Sequence, residues 1–319
     1  MNCRSCGGTD IGPVIDLGLM SLVNNLLKSP QENCQRHPLE VAYCRTCSLA
    51  QLKRAPPPPA MFEEYLYFSS QSHTMVSHAG ALVSSYVQSG QRVLEIASND
   101  GYLLKQAKAR GATVLGVDPA RNISDAANAD GIPTRCEYFN ATAARSIPRE
   151  WGYADVIFRN NVLPHVPDPN ELADGIRLAL AKNGTAHIEV PYLVRMIDTC
   201  AFDTIYHEHH CYFSVTALVA LFNRHGLKVT DVAWIDIHGG SLHVQVRHHG
   251  GQAGAHRMMM DEEGLGVIRD EYYSEFAGRV RTLKQRLIET MSMFEWVAGY
   301  GAAAKGVDEL APDGGARPA

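Results

Sequence analysis

The spacing of apolar positions changes along the chain. Between Gln91 and Val190, short apolar runs alternate with longer stretches that carry polar residues at helical spacing. The runs are Arg92-Val93-Leu94-Glu95-Ile96, Thr113-Val114-Leu115-Gly116-Val117-Asp118, Ala154-Asp155-Val156-Ile157-Phe158 and Thr185-Ala186-His187-Ile188-Glu189-Val190. Strands alternating with helices in this rhythm predict an α/β fold, a parallel Rossmann-like sheet with helices on both faces. Helices are predicted within Glu63–Gln88 and from Tyr102 to Arg110. Leu227–Asp236 and Ser241–Arg247 flank His238-Gly239-Gly240 and predict an antiparallel hairpin at the sheet edge. Asp261–Glu295, rich in Glu, Arg, Lys and Leu at helical spacing, predicts one long amphipathic helix. A strand entering a glycine turn is predicted at Trp296–Gly301, and the polar tail beyond it is expected to be disordered.

Upstream of this pattern the first 55 residues read differently. Gly7-Gly8, Asp16-Leu17-Gly18, Asn24-Asn25 and Ser29-Pro30 punctuate short segments, so this unit has too little core to stand alone. Pro56–Pro59 then removes four backbone donors and predicts a border. The division that follows is a small module over 1–56, a central α/β domain over 57–255, and a C-terminal unit over 256–319.

With 319 residues, 45% of them apolar, the chain can bury at least one large core. The formal charge of −5, with Lys and Arg scattered, disfavours nucleic acid and anionic membranes as partners. The N-terminus has no basic segment followed by an apolar run, and no apolar stretch approaches the ~18 residues of a membrane span. A soluble, cytoplasmic monomer is expected. Eight cysteines, four of them in two Cys-x-x-Cys pairs, look like thiolate ligands in a reducing compartment rather than a disulfide framework.

A Cys-x-x-Cys turn puts two thiolates on one tight knuckle, and two such turns complete a zinc tetrahedron. Cys3, Cys6, Cys44 and Cys47 meet that need, and the long loop between the pairs costs little extra closure entropy. Cys34 and His37 are alternative ligands off the knuckles. Four protein thiolates leave no open position for water, so the expected zinc is structural. Cys136, Cys200 and Cys211 are expected in or near the core.

In a doubly wound sheet, ligands bind beyond the carboxyl ends of the strands. Glu95-Ile96-Ala97-Ser98-Asn99-Asp100-Gly101 joins a strand to a helix N-terminus, and Asp118 closes the next strand where a carboxylate can accept both hydroxyls of an adenosine ribose. The turn lacks the Gly-x-Gly-x-x-Gly that lets a pyrophosphate rest on a helix N-terminus. Glu95 and Asp100 would repel a pyrophosphate, yet they suit a sulfonium and an ammonium group, which favours S-adenosylmethionine over a nicotinamide cofactor. Ala97, Asn99, Asp100, Gly101 and Asp118 are therefore cofactor-binding candidates with Glu95. Asn161 and His165, after the strand at Asp155, wall the pocket near the methyl group.

Tyr206-His207-Glu208-His209-His210 sets five proton-transfer or hydrogen-bonding groups in succession. For methyl transfer to carbon, one would remove a proton beside a ketone while another stabilises the enolate oxygen. The residues alone do not choose among His207, His209 and His210.

Together these features resemble the nucleotide-sugar C-methyltransferases that act on deoxy keto-sugars. The resemblance runs through the zinc cysteines, Asp16-Leu17-Gly18, Tyr65-Leu66-Tyr67-Phe68-Ser69-Ser70, Glu95–Gly101, Asn161–Asp168, Tyr206–Ser214, His238–Leu242 and Gly299–Gly306. It implies His209 as general base, Glu208 and Tyr206 orienting base and sugar, and Tyr67 reaching in from before the sheet. His207, Ser241 and Lys305 would contact the substrate, a dTDP-linked 4-keto-6-deoxy sugar methylated at C3. Ala97 stands where many members carry glycine. Val307–Ala319 does not resemble the family's continuation, so a C-terminal unit cut short is expected, with cofactor binding kept and sugar methylation weakened. The competing readings are an O- or N-methyltransferase of a small metabolite and a non-catalytic cofactor-binding remnant.

Overall fold

A computed structural model describes residues 1–23, 29, 35–54, 68–237 and 239–298. Two sheets organise them. The larger contains β4 (Arg92–Ile96), β5 (Thr113–Asp118), β6 (Thr134–Cys136), β7 (Ala154–Asn160), β8 (Leu180–Pro191), β10 (Lys228–Ile235) and β11 (Ser241–Arg247), in the order β10-β11-β8-β7-β4-β5-β6. Strands β4 to β8 run parallel, and β11 pairs antiparallel with both β8 and β10, so the predicted hairpin forms the edge. Because β4 pairs with β5 on one side and β7 on the other, the chain reverses its winding there. A ligand crevice belongs at the carboxyl ends of those two strands.

Alternate residues of each strand feed different layers. Val93, Val156 and Phe158 pack with α1 (His73–Tyr86) and α2 (Tyr102–Ala109). Leu94, Ile96, Ile157 and Ile188 face the opposite core, which includes α4 (Ala141–Glu150), α5 (Pro169–Ala179) and α7 (Val215–Arg224). Helix α3 (Arg121–Ala129) links β5 and β6. Helix α1 forms because Met75, Ala79, Leu82 and Val83 recur on one face while the Ser72 side chain accepts from Met75 N at 3.3 Å and caps the first turn. This is the described part of the helical region predicted over Glu63–Gln88.

The N-terminal segment is more regular than its turn-rich sequence predicts. Strands β1 (Ile11–Ser21), β2 (Arg36–Cys44) and β3 (Ala50–Leu52) form an antiparallel sheet whose fourth strand is β9 (Cys211–Tyr212), immediately after the acid–base segment. Its core is completed from outside. Tyr273, Phe276, Ala277 and Val280 of α9 (Asp270–Ser292), with Leu193 and Ile197 of α6 (Leu193–Asp198), cover Val14, Leu39 and Val41. Each such large apolar side chain contributes roughly 1.5–3 kcal/mol when fully buried. Arg45 clamps the start of α9 by bonds of 2.9 and 2.7 Å to Asp270, and Tyr43 donates to the same carboxylate.

Other expectations change. The single helix predicted over Asp261–Glu295 is two, α8 (Ala253–Leu265) and α9. Gly266 ends α8 with φ of 79°, a left-handed conformation that terminates a helix with little steric cost. No strand forms through residue 298, and Trp296 and Val297 lie on the surface. Residues 299–319, including Lys305, lie outside the described residues, as do Cys34, Pro56–Pro59, Tyr67 and His238. Cys211 is buried and Cys200 half-buried as expected, whereas Cys136 is exposed because the three-residue β6 is the sheet's outer strand. No helix among the described residues is long and apolar enough to cross a membrane.

Candidate active site and metal centre

The two cysteine knuckles are built alike. Cys3 N donates to Gly8 O and Gly7 N to Cys3 O, and likewise Cys44 N donates to Leu49 O and Ser48 N to Cys44 O. The fifth residue of each turn, Gly7 or Ser48, takes a left-handed conformation, φ 74° and 64°. The sulfurs of Cys3, Cys6, Cys44 and Cys47 all lie within 4.8 Å of one another, with Cys3–Cys47 and Cys6–Cys44 each at 3.5 Å. Zinc–sulfur bonds of about 2.3 Å set the edges of a tetrahedron at about 3.8 Å, so the cluster fits a zinc ion. Cys6 N and Gly8 N donate to the sulfurs of Cys3 and Cys6, which suits thiolates. The alternative ligand His37 instead sets its ring edge-on to His207, 5.9 Å away.

The metal module is joined to the acid–base segment. β3 pairs with β9, Leu52 N donates to His210 O, and Ser48 Oγ lies 2.8 Å from Ser214 Oγ. Arg4, between the first two cysteines, donates to Pro167 O at 3.1 Å and so reaches the loop after β7.

Within that segment His209 is 7% exposed, and its two nitrogens have distinct partners. Nδ1 lies 3.0 Å from Thr204 O, and because a carbonyl only accepts, Nδ1 carries the proton and donates. In the neutral ring Nε2 then keeps its lone pair and accepts from Tyr206 Oη at 2.9 Å. The ring of His165 stands edge-on to His209 at 4.7 Å, and the Glu208 backbone hydrogen-bonds to His165. Burial, with the charges of His210 and Arg159, pushes His165 down to about 4, so it is neutral near pH 7. His207 is buried against β2, and Glu208 is buried as well.

The crevice between β4 and β7 holds most of the expected cofactor residues. Asp118 is 7% exposed. Its Oδ2 accepts from Asn99 N at 2.9 Å and its Oδ1 from Ala120 N at 3.0 Å, which fixes the carboxylate at the carboxyl end of β5. Burial raises its pKa, and those two hydrogen bonds lower it in part. Asn99 Oδ1 accepts from Ser69 N, and Asp100 Oδ2 from Ser70 N, so the turn after β4 is tied to the segment leading into α1. Ala97 and Asn99 have φ of 57° and 49°, and the glycine usual at position 97 in the resembled family would relieve the strain there. Gly101 begins α2 at φ 76°. Glu95 is 2% exposed with Oε2 unpartnered, Asp100 Oδ1 is unpartnered, and both side-chain amide atoms of Asn160 and of Asn161 are buried without a hydrogen bond. So many unsatisfied acceptors and amides along one crevice fit a polar, cationic ligand such as S-adenosylmethionine.

Ser241 begins β11 in register with Pro191 at the carboxyl end of β8. It is fully buried, and its hydroxyl donates to Ile237 O at 3.0 Å inside the β10–β11 turn. A groove of about 700 Å³ between β1 and α9, lined by Leu17, Phe202 and Leu287 among others, contains none of the candidate cofactor, substrate or metal residues.

Three residues escaped the sequence reading. Glu189, buried on β8, bonds through Oε1 to His78 Nε2 of α1 at 2.6 Å, while Oε2 has no partner. The Glu189 carboxylate raises the pKa of His78. Arg159 of β7 is 4% exposed. All interrupt apolar strand runs or helix faces. Central parallel strands are normally continuously apolar, so each interruption was the available signal.

Comparison with known proteins supplies the family. The Methyltransferase domain model matches residues 68–232, the “Putative zinc binding domain” model residues 3–62, and the C-methyltransferase C-terminal domain model residues 236–311. C-methyltransferase NovU of Streptomyces niveus is 35% identical, in an alignment covering 98% of this chain and 78% of that protein. The chain belongs to the C-methyltransferase family. This C-methyltransferase is thus an S-adenosylmethionine-dependent enzyme with an N-terminal zinc module, on the Rossmann-like sheet expected from its sequence, which has seven strands among the described residues. Among solved structures, a methyltransferase in complex with the Haloferax volcanii Trm112 activator aligns at TM-score 0.44 and 19% identity, over 54% of this chain and 88% of that one. An S-adenosylmethionine-dependent methyltransferase of Anabaena variabilis aligns at 0.45 and 13%, over 57% and 86%.

Proposed function

We propose that the enzyme methylates C3 of a dTDP-linked 4-keto-6-deoxy sugar, with His209 as the general base. The observation that carries this reading is the placement of the His209 ring, with Nδ1 3.0 Å from Thr204 O and Nε2 2.9 Å from Tyr206 Oη, which in a neutral ring leaves the Nε2 lone pair to act as the base. Nε2 accepts the C3 proton, the C–H electron pair becomes the C3–C4 double bond, and the carbonyl pair moves onto oxygen. The Tyr206 hydroxyl is placed to orient the sugar or to donate to that oxygen. Glu208 orients the base and Tyr67 completes the sugar site, with His207, Ser241 and Lys305 as further substrate contacts. S-adenosylmethionine, when bound, supplies an electrophilic methyl group on a sulfonium. Asp118 would hold the ribose hydroxyls. Glu95, Asp100 and Asn161 would face the methionine end, with Ala97, Asn99 and Gly101 shaping the turn and His165 walling the methyl side. The work divides among a zinc module over 1–56, a cofactor domain over 57–255 and a substrate unit over 256–319. The thiolate ligands suit a reducing compartment such as the cytoplasm.

Incubating the keto-sugar nucleotide with enzyme in deuterated water, without cofactor, isolates the base step. Wild type is expected to exchange the C3 proton, and His209→Ala to lose exchange by at least ~100-fold. Undiminished exchange in His209→Ala would remove His209 from this role.

A further inference from the structure

Arg159 stands out among the buried polar groups that the proposed chemistry leaves unused. It lies near the carboxyl end of β7, paired in register with Ile188 of β8, and is 4% exposed. Phe158, its neighbour on the strand, packs on the α1 side, so strand alternation sends the Arg159 side chain into the opposite layer, where Leu163, Cys211 and Phe213 of the two active-site loops are buried. No carbonyl or carboxylate among the described residues accepts from its guanidinium, and Nε is sealed from solvent. Burial alone pulls its pKa down to about 9, with no acid offsetting it, and it still carries its charge at neutral pH.

An unpaired buried cation is costly, and a fold that keeps one without an internal counter-charge has left room for an external one. Arg4, the other cation of this region, differs, since the four thiolates of the adjoining knuckles provide negative charge beside it. Arg159 has no equivalent. Its charge is felt by His165, which stacks edge-on against His209 and is hydrogen-bonded to the Glu208 backbone. His210, 1% exposed with neither ring nitrogen hydrogen-bonded, also acts on His165.

We propose that Arg159, with His165 and His210, forms an anion subsite that takes an anionic oxygen of the substrate during the reaction. This rests on the keto-sugar reading above. Two oxygens share that chemistry, the enolate oxygen that develops when C3 loses its proton and a diphosphate oxygen of the nucleotide.

The test uses Arg159→Met, which removes the charge at similar volume, and Arg159→Lys, which keeps charge but not the fork. Replacing a buried, unpaired guanidinium by methionine leaves Tm unchanged or raised, so loss of function cannot be ascribed to unfolding. Exchange at C3 in deuterated water is expected to fall by about 100-fold in Arg159→Met and less in Arg159→Lys. Calorimetry with dTDP separates the sources. Unchanged dTDP affinity assigns the subsite to the enolate oxygen, and a parallel loss assigns it to the diphosphate. Exchange and dTDP affinity both within twofold of wild type, at unreduced Tm, overturn the proposal. If wild type itself fails to exchange, the keto-sugar reading falls. The subsite is then judged with inorganic phosphate, which must raise the Tm of wild type but not of Arg159→Met, and equal responses overturn it.

Discussion

At position 95 a glutamate is almost wholly shielded from water, and its carboxyl is held well above the usual range, first by burial and then by the charges of Asp118 and Asp100. An acid whose folded pKa is raised binds its proton more tightly than the unfolded chain does. It therefore subtracts stability as pH rises from the ordinary carboxylate value through the raised one. A cationic cofactor reverses that preference by favouring the carboxylate. Binding of S-adenosylmethionine should release a proton and tighten with pH until the raised value is passed, and Glu95→Gln should flatten the dependence. Calorimetry in buffers of different ionisation enthalpy reads the released proton directly. Binding without proton release in wild type would separate Glu95 from the cofactor. Residues such as Cys3, Cys44 and Asp118 could be found in sequence because their side-chain type and spacing already specify a chemistry. Arg159 and Glu189 could not be weighed that way, since an arginine or glutamate is ordinary until its burial and missing partners are known.

Elements add constraints that no single position reveals. Helix α7 begins at Val215, and its first amides are satisfied from another helix. Glu262 of α8, 1% exposed, accepts from Val215 N at 2.6 Å, Thr216 N at 2.9 Å, Thr216 Oγ1 at 2.6 Å and Tyr192 Oη at 3.0 Å. A carboxylate there also opposes the positive end of the helix. Glu262→Ala strands all four donors and should destabilise the fold by about 2–4 kcal/mol, whereas Glu262→Gln keeps the acceptor oxygen and should lose less. Urea unfolding of both variants compares them, and a loss below ~1 kcal/mol in Glu262→Ala would deny the capping role. Central strands β4, β5, β7 and β8 were readable because burial on both faces writes a continuous apolar run. β1 was not, since register shifts at Pro13/Ile15 and Asp16/Leu19 break the two-residue alternation along it. The helix predicted over Asp261–Glu295 failed at one residue, Gly266, whose φ was invisible to a pattern of side chains.

Across the whole molecule, the zinc module and the Tyr206–His210 segment are one mechanical unit. The knuckle cysteines sit in the same core as Leu163, Cys211 and Phe213, and β9 continues the N-terminal sheet. Removing zinc should therefore disturb the His209 loop before the crevice at Glu95 and Asp118. In a Cys3→Ala, Cys44→Ala double variant, elemental analysis is expected to show zinc lost, with C3 exchange falling at least tenfold more than affinity for S-adenosylmethionine. Equal losses in both would mean that the metal supports the fold without positioning the base. The sequence suggested an N-terminal module with its own border. Sheet membership crosses that border, and only three-dimensional pairing could reveal it.

The joining of Ser48 to Ser214 spans 166 residues, and the neighbouring β3–β9 ladder is as non-local. A ribosome making this chain releases both cysteine knuckles long before the strand that completes their sheet exists. At about 5–20 residues per second, the first fifty residues wait roughly ten to thirty seconds for that partner. The zinc knuckles can capture metal early, but the edge of β3 stays open until β9 emerges, so a segment made well before its partner is among the last to be finished. Closing that edge also fixes the segment that carries His209, so completion of the N-terminal sheet and placement of the Tyr206–His209 pair are the same event.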